Sequence, residues 1–162
     1  MLTYKHLREV LRYEPQTGFF YWKLSRSVVR AGDRAGCYLA IGYEAIRIDR
    51  KVYYSHRLAW LYVYKRWPQR EIDHINRKPL DNRIINLREA SRAENTMNRT
   101  AQTNSTTGIK GIAFDKRRKN KPWRAAINNK SLGSYKTKKH AARAYDIAAQ
   151  KYHGEFRWEN LL

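Results

Sequence analysis

Apolar and polar positions along the chain change rhythm often, which divides it into short amphipathic pieces and leaves room for only one long helix. Leu7, Val10 and Leu11 recur at helical spacing behind Thr3, which can cap a helix start, and the PQTG of 15–18 then makes a turn. The apolar run 19–22 reads as a strand, and 42–54 alternates as a hairpin around Asp49-Arg50. These strands have two uses: their aromatics pack a core, or a face bearing Arg47, Arg50 and Lys51 lies in a groove of DNA. Ser55 can cap the next helix, which turns Leu58, Leu61 and Tyr62 inward and stops at Trp67-Pro68. Residues 72–75 form a short strand, Pro79, Asp81 and Asn82 are turn formers, and Ile84, Ile85 and Leu87 read as the returning strand of a hairpin. Ser91 and Glu94 make a capping box, so a helix starts at about Ala93 with Asn95 and Asn98 on one face.

The polar stretch 100–107, TAQTNSTT, has no hydrophobic period and reads as a linker. Beyond it three strands are predicted over 109–117, 122–128 and 131–135, followed by a helix over 138–152. Strand alternation puts Ile112, Phe114, Trp123, Ala125, Ile127 and Leu132 on one sheet face, toward the helical Ala141, Ala144, Tyr145, Ala148 and Tyr152. The other face then shows Ala113, Asp115, Arg117, Arg124, Asn128 and Lys130. The expected class is α+β: a β-rich N-terminal region over 1–54, a hairpin-and-helix core over 55–99, the linker 100–107, and a three-stranded antiparallel sheet packed on one helix over 108–162.

Charge turns this layout toward function. The formal net charge is +20, with twenty Lys and Arg against ten Asp and Glu before residue 108 and fourteen against four from there on. Such an excess needs a polyanion, and double-stranded DNA is the first candidate because Lys and Arg neutralise phosphates. A membrane is the weaker partner, since there is no apolar run near the roughly twenty residues that a span needs and no signal peptide. Twelve Tyr and five Trp argue against a disordered basic tail. The single Cys37 cannot form an internal disulfide, which fits a reducing cytoplasm, and it is expected as a small buried or half-buried residue.

The chemistry concentrates between residues 71 and 99. Phosphodiester hydrolysis needs a water deprotonated near neutral pH and a cation that takes charge from the departing and non-bridging oxygens. His74 suits the first task and the oxygen donors Asp73 and Asn95 suit the second. Neighbours on a regular strand point to opposite faces, so Asp73 and His74 serve one site only if the strand ends or bends there.

Asp73-His74, with Asn86 twelve residues after the histidine and Asn95 nine further on, resembles the HNH endonucleases, in the phage and intron-encoded homing subgroup whose last histidine is replaced by asparagine. The likeness extends to His56-Arg57-Leu58-Ala59-Trp60 and Asp81-Asn82-Arg83. It implies a ββα-metal (His-Me finger) core in which His74 is the general base, Asp73 and Asn95 hold Mg²⁺ or Mn²⁺, and Asn86 ties the loop that positions His74. A histidine also stands at position 56 in this family, where it either contacts the scissile phosphate region or makes a structural hydrogen bond to the neighbouring strand. One cysteine leaves no structural zinc of the kind many HNH enzymes carry.

A second resemblance covers nearly all of 108–161. Lys110-Gly111-Ile112, the WRAAI of 123–127, the LGSY of 132–135, the AARAYDIAA of 141–149, Gly154-Glu155-Phe156 and Asn160 look like the Apetala/ethylene-response-factor DNA-binding domain. It implies a sheet lying in the major groove, with DNA contacts carried over to Lys110, Arg117, Arg124, Asn128 and Lys130. Ala126 stands where an acidic base-contacting residue is usual, so the plant site preference does not transfer. The resulting expectation is a monomeric, strand-nicking DNA endonuclease working in the cytoplasm of a bacterial host and leaving 5′-phosphate ends. A DNA-binding regulator with an inactive nuclease fold is the alternative. An RNA-binding protein lacks the loop and aromatic-strand signatures of the common RNA modules.

Overall fold

Short elements with their own turn chemistry build the chain, and the computed structural model describes them over residues 1–26, 28–99, 105–158 and 160. Thr3 accepts a hydrogen bond from the His6 N–H and starts α1, Tyr4–Val10. Leu11 ends that helix and opens β1, Leu11–Glu14, which pairs with β2, Phe19–Trp22; β3, Arg34–Ala35, completes the first antiparallel sheet in the order β1-β2-β3. Cys37–Tyr38 (β4), Glu44–Ile48 (β5) and Lys51–Tyr54 (β6) form a second sheet, with β5 central. Its hairpin turns on Asp49 and Arg50, both at positive φ, as a tight two-residue turn requires.

Helix α2, Ser55–Tyr64, starts one residue earlier than a Ser55 cap implies. Tyr54 is the capping residue, no side chain caps it, and the Ser55 hydroxyl is buried inside the first turn. The helix stops at Lys65 in the left-handed region, just ahead of Trp67-Pro68. β7, Glu71–His74, then pairs with β8, Leu87–Ala90. The returning strand therefore begins later than the apolar pattern suggested. Ile84–Asn86 is a 3-10 turn, and Ile85, counted as a strand position from sequence, is exposed.

Two compact units emerge, Met1–Arg92 and Ala93–Leu162. In the first, Leu7, Leu11, Phe20, Ile46 and Ile48 share one buried cluster with Leu58, Leu61, Ile72 and Leu87. Residues 1–54 thus share one buried cluster with β7 and β8, the core packing that the first reading of their aromatics expects. Cys37, expected as buried or half-buried, is exposed.

The division falls one residue into α3, Arg92–Asn98, so Asn95 counts with the second unit. The tie is chemical: the Lys110 ammonium donates to the carbonyls of Thr96, Met97 and Arg99 at 3.3, 2.7 and 2.8 Å, satisfying the free end of α3. Of the expected linker, 100–104 lies outside the described residues. β9, Ile112–Phe114, β10, Trp123–Ile127, and β11, Lys130–Tyr135, form an antiparallel sheet with β10 central. Helix α4, Lys138–His153, covers one face of it with Ala141, Ala142, Tyr145, Ala148 and Ala149 buried; Ala144 is only half-buried and Tyr152 is exposed. Small alanines let helix and sheet approach closely. Among the described residues there are four α-helices and small antiparallel sheets, a mixed α and β architecture, and no helix is long and apolar enough to cross a membrane.

Candidate active site

β7 delivers two buried polar side chains in succession and then ends. Asp73 is 4 % exposed and His74 5 %. Arg77, at φ +62°, turns the chain and donates its N–H to the His74 carbonyl. Asn86 laces the loop that follows. Its side-chain oxygen accepts from the Asn76 N–H at 2.9 Å, its amide nitrogen donates to the Asp81 carbonyl at 2.8 Å, and its own carbonyl accepts from the Ile75 N–H. Asp81 in turn accepts from Asn76 and from the Arg83 fork, which holds its carboxyl down at about 2. Of the turn formers read from the sequence, Asp81 is thus tied with Asn76, Arg83 and Asn86 into one hydrogen-bonded unit.

His74 faces inward from this loop. Its Nε2 lies 3.3 Å from the Asn82 side-chain oxygen, and its ring meets His56 edge-on at 5.3 Å and Tyr43 at 6.1 Å between centroids. Burial lowers its pKa below the ordinary histidine value, outweighing the Asn82 bond and the charges of Asp73 and Asp81 that pull the other way. The consequence is an imidazole in its free-base form near neutral pH, the state a general base must start from.

His56, in the first turn of α2, is 8 % exposed and stacks on Tyr54 at 5.4 Å with 9° between the rings. Its Nδ1 is buried and has no hydrogen-bond partner among the described residues. Its ring contacts with Tyr43, Tyr54 and His74 make it part of an aromatic wall beside His74. Burial first, then the charges of His74 and Arg57, push its pKa down to about 3. Because the folded value is depressed, this group contributes stability that is fully present above the ordinary value of about 6.5 and lost as pH falls toward 3. The first unit should accordingly lose on the order of 4 kcal/mol between those limits from this residue. Melting followed from pH 7 to pH 4 should show the steep decline, and His56→Phe should flatten it.

Asp73 is not an open carboxylate. Arg88, directly opposite on β8, donates to its Oδ2 through Nε at 2.9 Å, with NH2 of the same guanidinium at 2.8 Å. Among the contacts described, Asp73 meets Arg88, and His74 meets Asn82, Tyr43 and His56. Asn95 is half-buried on α3, one turn before the buried Asn98. Among the described residues no three His, Cys, Asp or Glu side chains come together. A hard cation that keeps most of its waters needs only one or two carboxylates, and Asp73 could serve as one only by sharing its oxygens with Arg88 or being released from it.

The five DNA-contact candidates of the second unit separate sharply. Arg124 stands exposed on central β10, opposite Ala113 and Ser134, on the face away from α4. Arg117 lies beyond β9 in a turn, exposed and paired with Asp115 at 3.1 Å. Of the other three, Asn128 and Lys130 correct the open-face assignment, and Lys110 is carried over by the resemblance alone. Lys110 caps α3, as described above. Asn128 sits in the β10–β11 turn at φ +48°, its side-chain oxygen 3.4 Å from His153 of α4. Lys130 pairs with the inward-facing Ile127, and its ammonium lies 5.2 Å from the Tyr152 ring of the helix. Sequence parity misses Asn128 because β10 ends at Ile127 and turn residues do not alternate, and Lys130 because that turn sets it opposite Ile127.

Residue-by-residue reading also passed over Arg88, Glu44, Asn82 as an individual contact, and Arg118, which donates to Ser134 on the open sheet face at 3.2 Å. Arg88 became visible as the partner of Asp73 only once the hairpin register was known. Glu44 carried a weaker signal, an acid inside an otherwise apolar strand, which burial would require to be paired.

Residues 53–97 match the family model described as HNH endonuclease. Over 94 residues the chain is 30 % identical to Protein 3.8 of Escherichia phage T7, an alignment that spans 52 % of this chain and 71 % of that protein. No solved structure matches it.

Proposed function

The chain belongs to the same family as phage T7 Protein 3.8 and carries an HNH endonuclease domain over residues 53–97, and from that premise we propose that it is a metal-dependent, site-directed DNA endonuclease of the phage or mobile-element homing type. It works as a monomer on double-stranded DNA in the host-cell cytoplasm and nicks one strand. The observation that supports this reading most directly is His74, a buried imidazole kept as the free base and set in a loop laced by Asn86. In that role His74 takes the proton of the attacking water, and Asn86 keeps the loop from relaxing around it. Asp73 is the carboxylate suited to Mg²⁺ or Mn²⁺, and the family resemblance adds the Asn95 amide oxygen. A bound divalent cation would supply charge stabilisation for the departing 3′ oxygen. Arg88 orients the Asp73 carboxylate, and would give way to the cation or share it. The element order strand, strand, helix of β7, β8 and α3 is that of a ββα-metal core.

For the second unit the proposal is an Apetala/ethylene-response-factor type DNA-binding domain, supported by a sheet covered by α4 on one face and bearing Arg124 on the other. Base-edge contacts discriminate between sequences, whereas phosphate contacts weaken all of them alike. Arg124→Ala should therefore cost about 1 to 3 kcal/mol on the preferred site and less on random duplex. Competition binding on both duplexes checks it, and an equal loss on both makes Arg124 a phosphate clamp.

The deciding experiment is supercoiled plasmid incubated with the protein in Mg²⁺, Mn²⁺ or EDTA. Open circles that form only with metal support the nuclease. A second reading, a DNA-binding regulator with an inactive nuclease fold, draws on the Asp73–Arg88 ion pair, which already satisfies the carboxylate. Plasmid that is bound but never cut in any divalent metal selects it.

A further inference from the structure

Glu44 has no place in the HNH motif and lies outside residues 53–97, yet it is 4 % exposed, a position a carboxylate occupies only when compensated. Arg34 donates to its Oε1 at 2.6 Å. Gly36, at φ +124°, runs so close that a Cβ there would stand 3.0 Å from the Glu44 side chain. The other oxygen, Oε2, accepts from the amide nitrogen of Asn82 at 3.4 Å, and the Asn82 oxygen in turn lies 3.3 Å from His74 Nε2. Asn82 itself is 1 % exposed and clamped by the N-terminal hairpin. Tyr13 donates to its carbonyl at 2.8 Å, and Gly18, at φ +77°, packs where a Cβ would come within 2.6 Å of the Asn82 carbonyl carbon.

The geometry points to Glu44 as a positioning residue that, through Asn82, dictates which ring nitrogen of His74 carries the proton. A carboxylate ion-paired to Arg34 can only accept, so the Asn82 amide must turn its NH₂ toward Glu44. Its oxygen is then the atom presented to His74. An oxygen can only accept there, so Nε2 holds the hydrogen and Nδ1 becomes the proton-accepting nitrogen of the ring. The sheets before residue 53 thereby do more than complete a core: through Arg34, Glu44, Tyr13 and Gly18 they set the tautomer of the base. The catalytic meaning of this arrangement rests on His74 being the general base of the proposed nuclease; the tautomer itself does not.

The test uses full-length, ¹⁵N-labelled protein and long-range proton–nitrogen correlation spectra of the imidazoles at a pH where His74 is neutral. The wild type should show His74 in the Nε2–H form. Glu44→Gln removes the acceptor-only constraint, since an amide can donate as well as accept, so Asn82 becomes free to flip and a population with Nδ1–H should appear. Asn82→Ala removes the acceptor while leaving the Tyr13 bond to the backbone, and should give the same mixture if Glu44→Gln is too unstable to measure. In plasmid cleavage both variants should lower kcat by about 10- to 100-fold with KM little changed, the usual loss when a supporting hydrogen-bond partner is removed. A wild-type His74 in the Nδ1–H form, or a tautomer unmoved in the folded variant, overturns the proposal. A wild type that shows the Nε2–H form yet cuts no plasmid leaves the relay standing and removes the nuclease.

Discussion

His74→Ala is expected to lower plasmid cleavage by about 10² to 10⁴ while affinity for duplex DNA barely changes, the range a general base commands. The two halves of this expectation have separate causes. Rate falls because the described neighbours are poor proton acceptors: His56 is pushed down to about 3 and faces His74 through a ring edge, the Asp81 carboxyl is held down at about 2 by the Arg83 fork, and Asn82 has no basic atom. Affinity holds because a buried, neutral imidazole neutralises no phosphate. Single-turnover cleavage at saturating protein, read beside a gel-shift titration in EDTA, separates the two. A mutant that cuts at the wild-type rate removes His74 from the mechanism, and one that loses affinity in proportion to rate makes it a DNA ligand.

Gly111→Ala should unfold the second unit while leaving the first intact. Gly111 sits at φ +71°, and a Cβ there would overlap the ring of Tyr145 and stand 2.6 Å from the Ala126 carbonyl oxygen. Tyr145 is fully buried between α4 and the sheet, and the Ala126 N–H is bonded to the Gly111 carbonyl, so neither neighbour can give way cheaply. Backbone strain and overpacking together should cost about 2 to 6 kcal/mol, a large share of the stability of a unit this small. Gly108→Ala is the control, since its φ is +67° but a Cβ there meets nothing within 4 Å, so it carries the strain without the overlap. Calorimetry should show the transition of the second unit displaced far more by Gly111→Ala than by Gly108→Ala. Because the two buried clusters share no residues, the transition of Met1–Arg92 should stay in place. Equal shifts from the two substitutions would mean that the Tyr145 contact carries no energy.

What the sequence determined by itself is what depends on near neighbours in the chain. The Thr3 cap, the Asp49-Arg50 turn, the stop before Trp67-Pro68, the apolar parity of Trp123, Ala125 and Ile127, and the alanine-rich face of α4 all follow from dihedral preference and periodicity over a few residues. The spacing of Asp73, His74 and Asn86 belongs with them, since a single loop must close over it. Tertiary structure decided where polar side chains with several possible partners would go. Lys110, a DNA contact by resemblance, and Lys130, read as an open-face cation, found other partners, one the carbonyl end of α3 and the other the ring of Tyr152. Asp73 found Arg88 through a hairpin register that the apolar run of Ile84 and Ile85 had suggested should begin three residues earlier. Glu44 and Asn82 are 38 residues apart, and nothing in either local pattern announces the other. The physical reason is that a long or buried polar side chain must satisfy its charge and hydrogen bonds with whatever packing brings near, and packing joins segments whose separation along the chain carries no periodic signal.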